Sequence, residues 1–461
     1  MAKKKQIELT IEEKLQNALV PKEEQPYKIP SNWCWGILGE ITSVIGGGTP
    51  SSKINEYYDN GDIAWITPSD LSNYNNMYIS KGKKMITKLG LMKSSAKLLP
   101  KGTVCLSSRA PIGYVVIAKN ELSTNQGFKS FLPSKVFKSE YLYWYLKSIK
   151  HILEAKASGT TFLELSAKKA GEVEIPLPPI NEQQRIVNRI ESLFTKLDRA
   201  KELIENTLAQ FEQNKMAILH KAFTGELTAK WRKENNIDLS SWKDVIMQDI
   251  CEKIVCGKTP TGYISKTGEI PYLKVYNIVD NKIDFNKTAQ FIPNKIHKEK
   301  LKSSILKPND IIMNIVGPPL RKIAIIPDNY PEWNMNQAIV RFRVKKDVMY
   351  KFIYYILIYP KTLDNIINKT KGVVGQANIS ITQSRNIQIK LPTVEEQQEI
   401  VNILDRLLAK YNKIKNLEQQ LEKIELLKKA ILAKAFRGEL DTNNPDEESA
   451  ENLLKEILAE K

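Results

Sequence analysis

The chain has 461 residues, 69 Lys and Arg against 52 Asp and Glu, a net charge of +17 and a pI near 9.3. That length accommodates two or three domains, and that excess suits a polyanion, nucleic acid first and an anionic membrane surface second. Nothing reaches the run of about 18 apolar residues that spans a bilayer, and MAKKKQIELT has no apolar core behind its lysines, so it is no secretory signal. Cys34, Cys105, Cys251 and Cys256 are too few and too scattered for a disulfide framework or a zinc site. Free thiols in a reducing cytoplasm are expected.

Residues 1–30 read as an N-terminal tail. Ile11, Leu15 and Leu19 have helical spacing behind a Thr10–Glu13 capping box, and a Pro-punctuated link ends at Pro30. A docking helix is one reading and a solvated tail the other. Residues 31–178 form a first globular unit. Short β-like runs recur in it (GDIAWI, TVCLSS, GYVVIA, EVEIPLP), separated by turns at Gly46-Gly47-Gly48-Thr49-Pro50 and Ala110-Pro111-Ile112-Gly113. One helix is predicted over Ser139 to Ala157, with Tyr141, Leu142, Tyr145, Ile149 and Ile152 on one side. The unit is α+β and mainly strands.

Residues 179–227 carry a long helix. Pro178 and Pro179 stop the preceding strand, Asn181 with Gln184 offers a capping box, and Gly225 follows Phe223 as a left-handed cap would. Ile186, Ile190, Leu193, Leu197, Ala200, Ile204, Phe211 and Ile218 fall at steps that make a coiled-coil seam. About 40 residues of helix span roughly 60 Å, too long for the core of one small domain.

Beyond a polar link, residues 228–242, the plan repeats. Residues 243–392 answer the first unit feature by feature. Cys256-Gly257-Lys258-Thr259-Pro260 matches the Gly46 to Pro50 turn, GEIPYLKVYNI matches GDIAWITPSDL, and NDIIMNIVGPPLRKIAII matches GTVCLSSRAPIGYVVIA. Asn336-Gln337 matches Asn125-Gln126, and a Tyr-rich helix from Val348 to Leu363 matches the one at 139. Residues 393–440 carry a second rod with Ile414, Leu417, Leu421, Ile424 and Ile431 on its seam. EQQRIVNRI at 182 recurs as EQQEIVNIL at 396, and AILHKAFTGEL at 217 recurs as AILAKAFRGEL at 430, so the copies differ by one residue of length. Residues 441–461 are a C-terminal tail with a short helix around Leu453 to Leu458. The fold expected is α+β: two mainly-β domains, each followed by a long helix, the helices pairing as an antiparallel coiled coil with pseudo-twofold symmetry.

Catalytic motifs are missing. There is no Gly-x-x-x-x-Gly-Lys-Ser/Thr, no Gly-x-Gly-x-x-Gly opening a βαβ unit, no Gly-x-Ser-x-Gly and no Asn/Asp-Pro-Pro-aromatic stretch. His151, His220 and His297 have no metal-ligand spacing, and Gly46-Gly47-Gly48 reads as a tight turn before a phosphate loop. Basic groups beside turns are plentiful: Lys53, Lys81, Lys83, Lys84, Arg109 and Lys119 in the first unit, and Lys258, Lys274, Arg321, Lys322, Arg341 and Arg343 in the second. Singly these are solvated surface; as a set they point to DNA backbone contact. Arg109 and Arg321, after matching strands, are either guanine clamps or braces held in ion pairs. The DNA-binding candidates are Thr49, Lys53, Ser69, Lys83 and Arg109, with Lys258, Thr259, Lys274, Asn277, Arg321 and Lys322. Ser69-Asp70 and Asp310 read as turn formers.

With LPPINEQQRIVNRIESLF, AILHKAFTGEL and their second copies, and with GGGTPSS, GDIAWITPSDL, LSSRAPIGYV and STNQGF ahead of them, nearly the whole chain resembles the specificity subunit of a Type I restriction-modification system. The resemblance implies a non-catalytic subunit whose two target recognition domains each read half of an asymmetric, bipartite site in double-stranded DNA. It implies rods that set the gap between halves and dock two modification subunits. Those methylate adenine with S-adenosylmethionine, and restriction subunits using ATP and Mg translocate and cleave. A self-contained methyltransferase or nuclease, and a coiled-coil scaffold that never meets DNA, are the competing readings.

Overall fold

The computed structural model describes residues 9–159, 163–369, 377–412 and 415–460. The chain divides into two compact units, Met1–Leu203 with Gln419–Lys461, and Ile204–Glu418.

In the first unit a ribbon of Cys34–Ile37 against Glu174–Leu177 joins the two ends of the globular part. Between them, a five-stranded sheet runs in the order Val44–Gly46, Phe128–Phe131, Val104–Ser108, Ile112–Ala118, Tyr78–Ile79. A three-stranded sheet has Lys84–Ile86, Ile63–Ile66 and Ser123–Thr124. The apolar runs are buried on both faces because alternate side chains serve different cores. Val104, Leu106, Ile117 and Phe131 join Tyr141, Leu142 and Tyr145 of the helix Ser139–Ser148, while Cys105, Val116 and Phe128 pack with Ile66 and Leu122. The helix predicted to reach Ala157 breaks at Ile149 and resumes as Lys150–Lys156.

The second unit repeats this plan. Lys243–Ile246 pairs with Gln388–Leu391. A four-stranded antiparallel sheet has the order Cys251–Cys256, Ile339–Val344, Ile311–Asn314, Ile323–Ile325, and a three-stranded one the order Phe291–Ile292, Ile270–Leu273, Asn334–Met335. The helix expected over Val348 to Leu363 is two, Tyr350–Ile358 and Pro360–Lys369. Pro360 has no N–H to give and holds Tyr359 extended, at ψ 116°.

The long helix runs Ile180–Phe223, roughly 66 Å at 1.5 Å per residue. It begins before Asn181, which therefore sits in the first turn rather than capping it. Gly225 ends it with φ +82°, the left-handed cap its position predicts. The second copy forms Val394–Asn412 and Lys415–Ala435; Ile414 lies outside the described residues. Within the first unit, Phe194 carries the Lys428 ammonium over its ring, Asp198 pairs with Lys428 at 2.5 Å and Lys201 with Glu425 at 3.2 Å. As one helix advances the other recedes, so the two pair antiparallel. Ile186, Ile190 and Ile424 are buried and Leu193, Leu197 and Leu421 half-buried in this unit; Ile204, Phe211 and Leu417 are half-buried in the other.

Each Glu-Gln-Gln motif is a knot. Glu182, fully buried, accepts from Trp33 Nε1 at 2.8 Å, Asn443 at 2.9 Å and Thr442 at 3.3 Å. Glu396, also fully buried, accepts from Trp242 Nε1 at 2.8 Å, Thr228 at 2.7 Å and Arg232 at 2.5 Å. Gln183 caps the helix at Ser139 through Lys138 N, and Gln397 caps Tyr350 through Met349 N. The third glutamine bonds the Asn one turn on, Gln184 to Asn188 and Gln398 to Asn402. The polar stretch 228–242 is therefore folded rather than a plain link: it holds the helix Ala229–Glu234 and buries Arg232 and Trp242. The described parts of both tails of the first unit are folded too. The helix Ile11–Ala18, with the predicted Thr10–Glu13 box, shares a core with Leu454, Ile457 and Leu458 of the helix Ala450–Ala459.

The two carboxylates differ in what faces them. Glu396 meets a buried cation, whereas Glu182 meets neutral donors, and burial pushes its carboxyl above the ordinary carboxylate range despite Trp33, Asn443 and Arg185. Glu396→Gln should cost about 3 kcal/mol, because Arg232 is left uncompensated, and Glu182→Gln about 1 kcal/mol; equal urea midpoints for the two variants would contradict this. The folded unit holds the Glu182 proton to higher pH than the unfolded chain does. Its contribution is thus largest below the ordinary carboxylate value and declines as pH rises through the raised one. Across that window Glu182→Gln should gain stability relative to the parent.

Candidate nucleic-acid interface

Two loops meet in each domain in the same way. In the first, Gly47 N and Gly48 N donate to Phe128 O and Thr124 O at 3.3 and 2.9 Å, and Asn125 N donates to Ile66 O at 2.9 Å. In the second, Gly257 N and Lys258 N donate to Ile339 O and Met335 O at 3.0 and 3.1 Å, and Asn336 N donates to Leu273 O at 3.0 Å. An aromatic side chain from the middle strand secures the first loop each time. Trp65 Nε1 donates to Gly48 O at 3.0 Å, and Tyr272 OH donates to Lys258 O at 2.8 Å. At the exposed lip a threonine hydroxyl donates to a glutamine Oε1, Thr49 to Gln126 and Thr259 to Gln337. The glycines are required by approach. A Cβ at Gly47 would lie 1.9 Å from Asn125 O, and one at Gly257 2.2 Å from Asn336 O, whereas one at Gly46 would meet nothing within 4 Å. The Gly46-Gly47-Gly48 run is thus a close crossing of two backbones.

Around this shared frame the domains diverge. In the first, a cleft of about 640 Å³ opens beside the frame, and Ser69, Lys83 and Arg109 of the predicted set line it with Trp65, Lys84 and Gln126. Thr49 reaches it through Gln126; exposed Lys53 does not line it. Asp70 forms the predicted turn, accepting from Thr67 N at 2.7 Å and Lys83 N at 3.0 Å. In the second, Asn277 takes the place of Asp70. It is 1% exposed, accepts from Lys274 N at 2.9 Å and donates to Asp284 O and Thr288 Oγ1 at 3.2 Å. Asn277 is consequently a turn brace, its side chain engaged within the turn. Tyr276 stands where the first domain has Ser69, exposed, with the Lys274 ammonium 6.0 Å from its ring centre. Lys258 and Thr259 are exposed, and Lys322 is half-buried.

The two arginines are not equivalents. Ser107 Oγ donates to Pro111 O at 2.7 Å and accepts from Tyr114 N at 2.8 Å; Asn314 does the same with Pro319 O and Lys322 N, both at 2.7 Å. In this register Arg109 holds the place that Val316 holds in the second domain, each bridged to a later segment of its own unit, and Arg321 holds the place of Gly113, both with positive φ. Each arginine is held by a carboxylate, Arg109 by Glu164 at 3.1 Å and Arg321 by Asp364, and each stays 37% exposed. Glu164 also takes Lys129 at 3.4 Å. The bracing geometry is therefore present, with guanidinium surface left over. Arg341, 3% exposed, donates to Ile305 O, and Arg343 bonds Asp310 at 2.7 and 2.8 Å; both work inside the fold. Sequence reasoning aligned Asn125-Gln126 with Asn336-Gln337 but did not single out the glutamines. Their recurrence outside the rods was the signal.

The model of the Type I restriction modification DNA specificity domain matches residues 30–210 and 240–426. The chain belongs to that family. The Type I restriction enzyme MjaIX specificity subunit of Methanocaldococcus jannaschii is 31% identical over 427 residues, spanning 91% of this chain and 96% of that one. The EcoKI specificity subunit of Escherichia coli K12 is 25% identical over 454 residues, spanning 94% and 96%. Among solved structures, a chain from a type I R-M system assembly has a TM-score of 0.68 at 19% identity over 90% of this chain and 100% of that one. The HsdS subunit from Thermoanaerobacter tengcongensis has a TM-score of 0.54 at 20% identity over 90% and 99%. The protein is a Type I DNA specificity subunit with two recognition domains, the component that carries no catalysis. Among the described residues, no group of three or more His, Cys, Asp or Glu could hold a metal ion, and no helix is long and apolar enough to cross a membrane.

Gly47→Ala and Gly257→Ala should each cost about 1–3 kcal/mol by forcing two backbones apart, while Gly46→Ala should be neutral. Unfolding in urea checks this, and a Gly46→Ala variant as unstable as Gly47→Ala would overturn the crossing as the reason.

Proposed function

We propose that the domain within residues 31–178 reads one half of an asymmetric, bipartite site in double-stranded DNA, and the domain within 243–392 reads the other. The carrying observation is a common two-loop frame whose surroundings differ: Ser69, Lys83 and Arg109 in one domain, Tyr276 and Lys274 in the other. Lys53, Lys258, Lys322 and the exposed edge of Arg321 supply backbone contact, and the net charge of +17 favours it. The rods keep the half-sites a set number of base pairs apart. With their exposed faces they seat two modification subunits, which bind S-adenosylmethionine and methylate adenine. Restriction subunits bring ATP, Mg and cleavage, and the assembly works in the cytoplasm. The missing nucleotide-binding and methyltransferase motifs support chemistry in partner chains.

Exchanging residues 31–178 for the corresponding domain of a relative should rewrite one half of the methylated site and leave the other intact. Methylated adenines mapped in a host carrying the chimera decide this, and a change in both halves would contradict modular reading. Removing two helical turns, about seven residues, from each rod should change the spacer while both half-sites persist. An unchanged spacer would mean that the rods do not measure it.

A further inference from the structure

A glutamine side chain carries two donor hydrogens and one acceptor oxygen. Gln126 and Gln337 both stand exposed at the lip of the frame, and both have the oxygen engaged by a threonine hydroxyl. Among the described residues neither Nε2 donates to any protein group. The threonine orients the amide, leaving its NH₂ as the group presented outward. Adenine in the major groove is matched by one donor and one acceptor together, which this orientation handicaps. A donor-only group fits an acceptor-only partner. The two domains share this pair, whereas at the same places in the fold one has Ser69 and Arg109 and the other Tyr276 and Val316. A contact common to two readers of different sequences belongs to what every sequence shares, the phosphate backbone.

We propose that Thr49–Gln126 and Thr259–Gln337 form a duplicated, sequence-neutral clamp in which each glutamine amide donates to a phosphate oxygen beside its half-site. This rests on the reading of the two domains as DNA readers. The clamp sets each domain's depth and register on the duplex, and the unlike residues around it choose the bases. Thr49→Val should free the oxygen, let the amide turn and reproduce part of the loss seen for Gln126→Ala.

The test uses the full chain co-purified with its host's modification subunits, offered a library of randomised duplexes and then the preferred duplex. Gln126→Ala and Gln337→Ala should each weaken binding to preferred and random duplexes alike by about five- to tenfold, with the base preference unchanged and the melting temperature unmoved. Replacing single phosphates of the preferred duplex by neutral methylphosphonates should reveal one position per half-site that weakens the parent protein and leaves the matching glutamine variant indifferent. An altered base preference in either variant would make the glutamine a base reader, and unaltered affinity would make it a bystander; both overturn the clamp. A parent protein with no base preference at all would instead defeat the DNA-reading itself.

Discussion

A carboxylate taken wholly out of water at the first turn of a long helix is what each unit is tied around. Glu182 and Glu396 each receive an indole N–H from the residue just ahead of the strand that opens a domain, and donors from the segment that follows a rod's end. The adjoining glutamine fastens the domain's own helix to the same turn. A buried unpaired carboxylate costs several kcal/mol, so this position tolerates neither a vacant donor nor a slip of register. One charge thereby fixes three elements that are distant in sequence. The left-handed glycines, Gly225 at φ +82° and Gly438 at φ +76°, complete the arrangement by turning the chain off each rod toward that charge.

The duplication preserved this geometry while its chemistry drifted. In one unit Arg232 neutralises Glu396 directly. In the other the nearby Arg185 spends its guanidinium on Glu447 and Thr442 O, and Glu182 is left to neutral donors. The demand at the site is for enough donors to replace water, and an arginine or a pair of side-chain amide and hydroxyl donors supplies the hydrogen bonds, though only the arginine also offsets the charge. The residues after each rod could thus change identity freely provided the count of donors held.

That distinction explains what the amino-acid sequence made legible. Period-2 and period-3.6 patterns exposed the strands, the rods and the capping box at Thr10, because these follow from local geometry and apolar spacing. The repeat of Glu-Gln-Gln was visible, but its reason was not, since Trp33, Asn443 and Thr442 are brought to Glu182 only by the fold. Residues 228–242 looked like a link for the same reason: a buried arginine is indistinguishable from a solvated one until its partner is known. Asn277 and Arg341 are likewise polar groups near turns whose hydrogen bonds run inward, a direction the sequence does not carry. Arg109 and Arg321 aligned by sequence because both follow a strand and lie beside a proline, Arg109 ahead of Pro111 and Arg321 behind Pro319, yet the Ser107 and Asn314 bonds set them at different places.

In the recognition domains, constancy and drift are divided by what carries each interaction. The frame is mainly backbone on backbone, with Gly47 against Asn125 O and Gly257 against Asn336 O, and beyond those glycines it depends only on the aromatic donors Trp65 and Tyr272. The residues beside it hang from that frame and answer only to what they touch. Ser69 can stand where Tyr276 stands because the turn beneath is held by Asp70 in one domain and Asn277 in the other, and either side chain accepts from the same backbone N–H. A domain built this way can exchange its outward groups without paying in stability, which is what a protein must do if its two copies are to read different sequences from one fold.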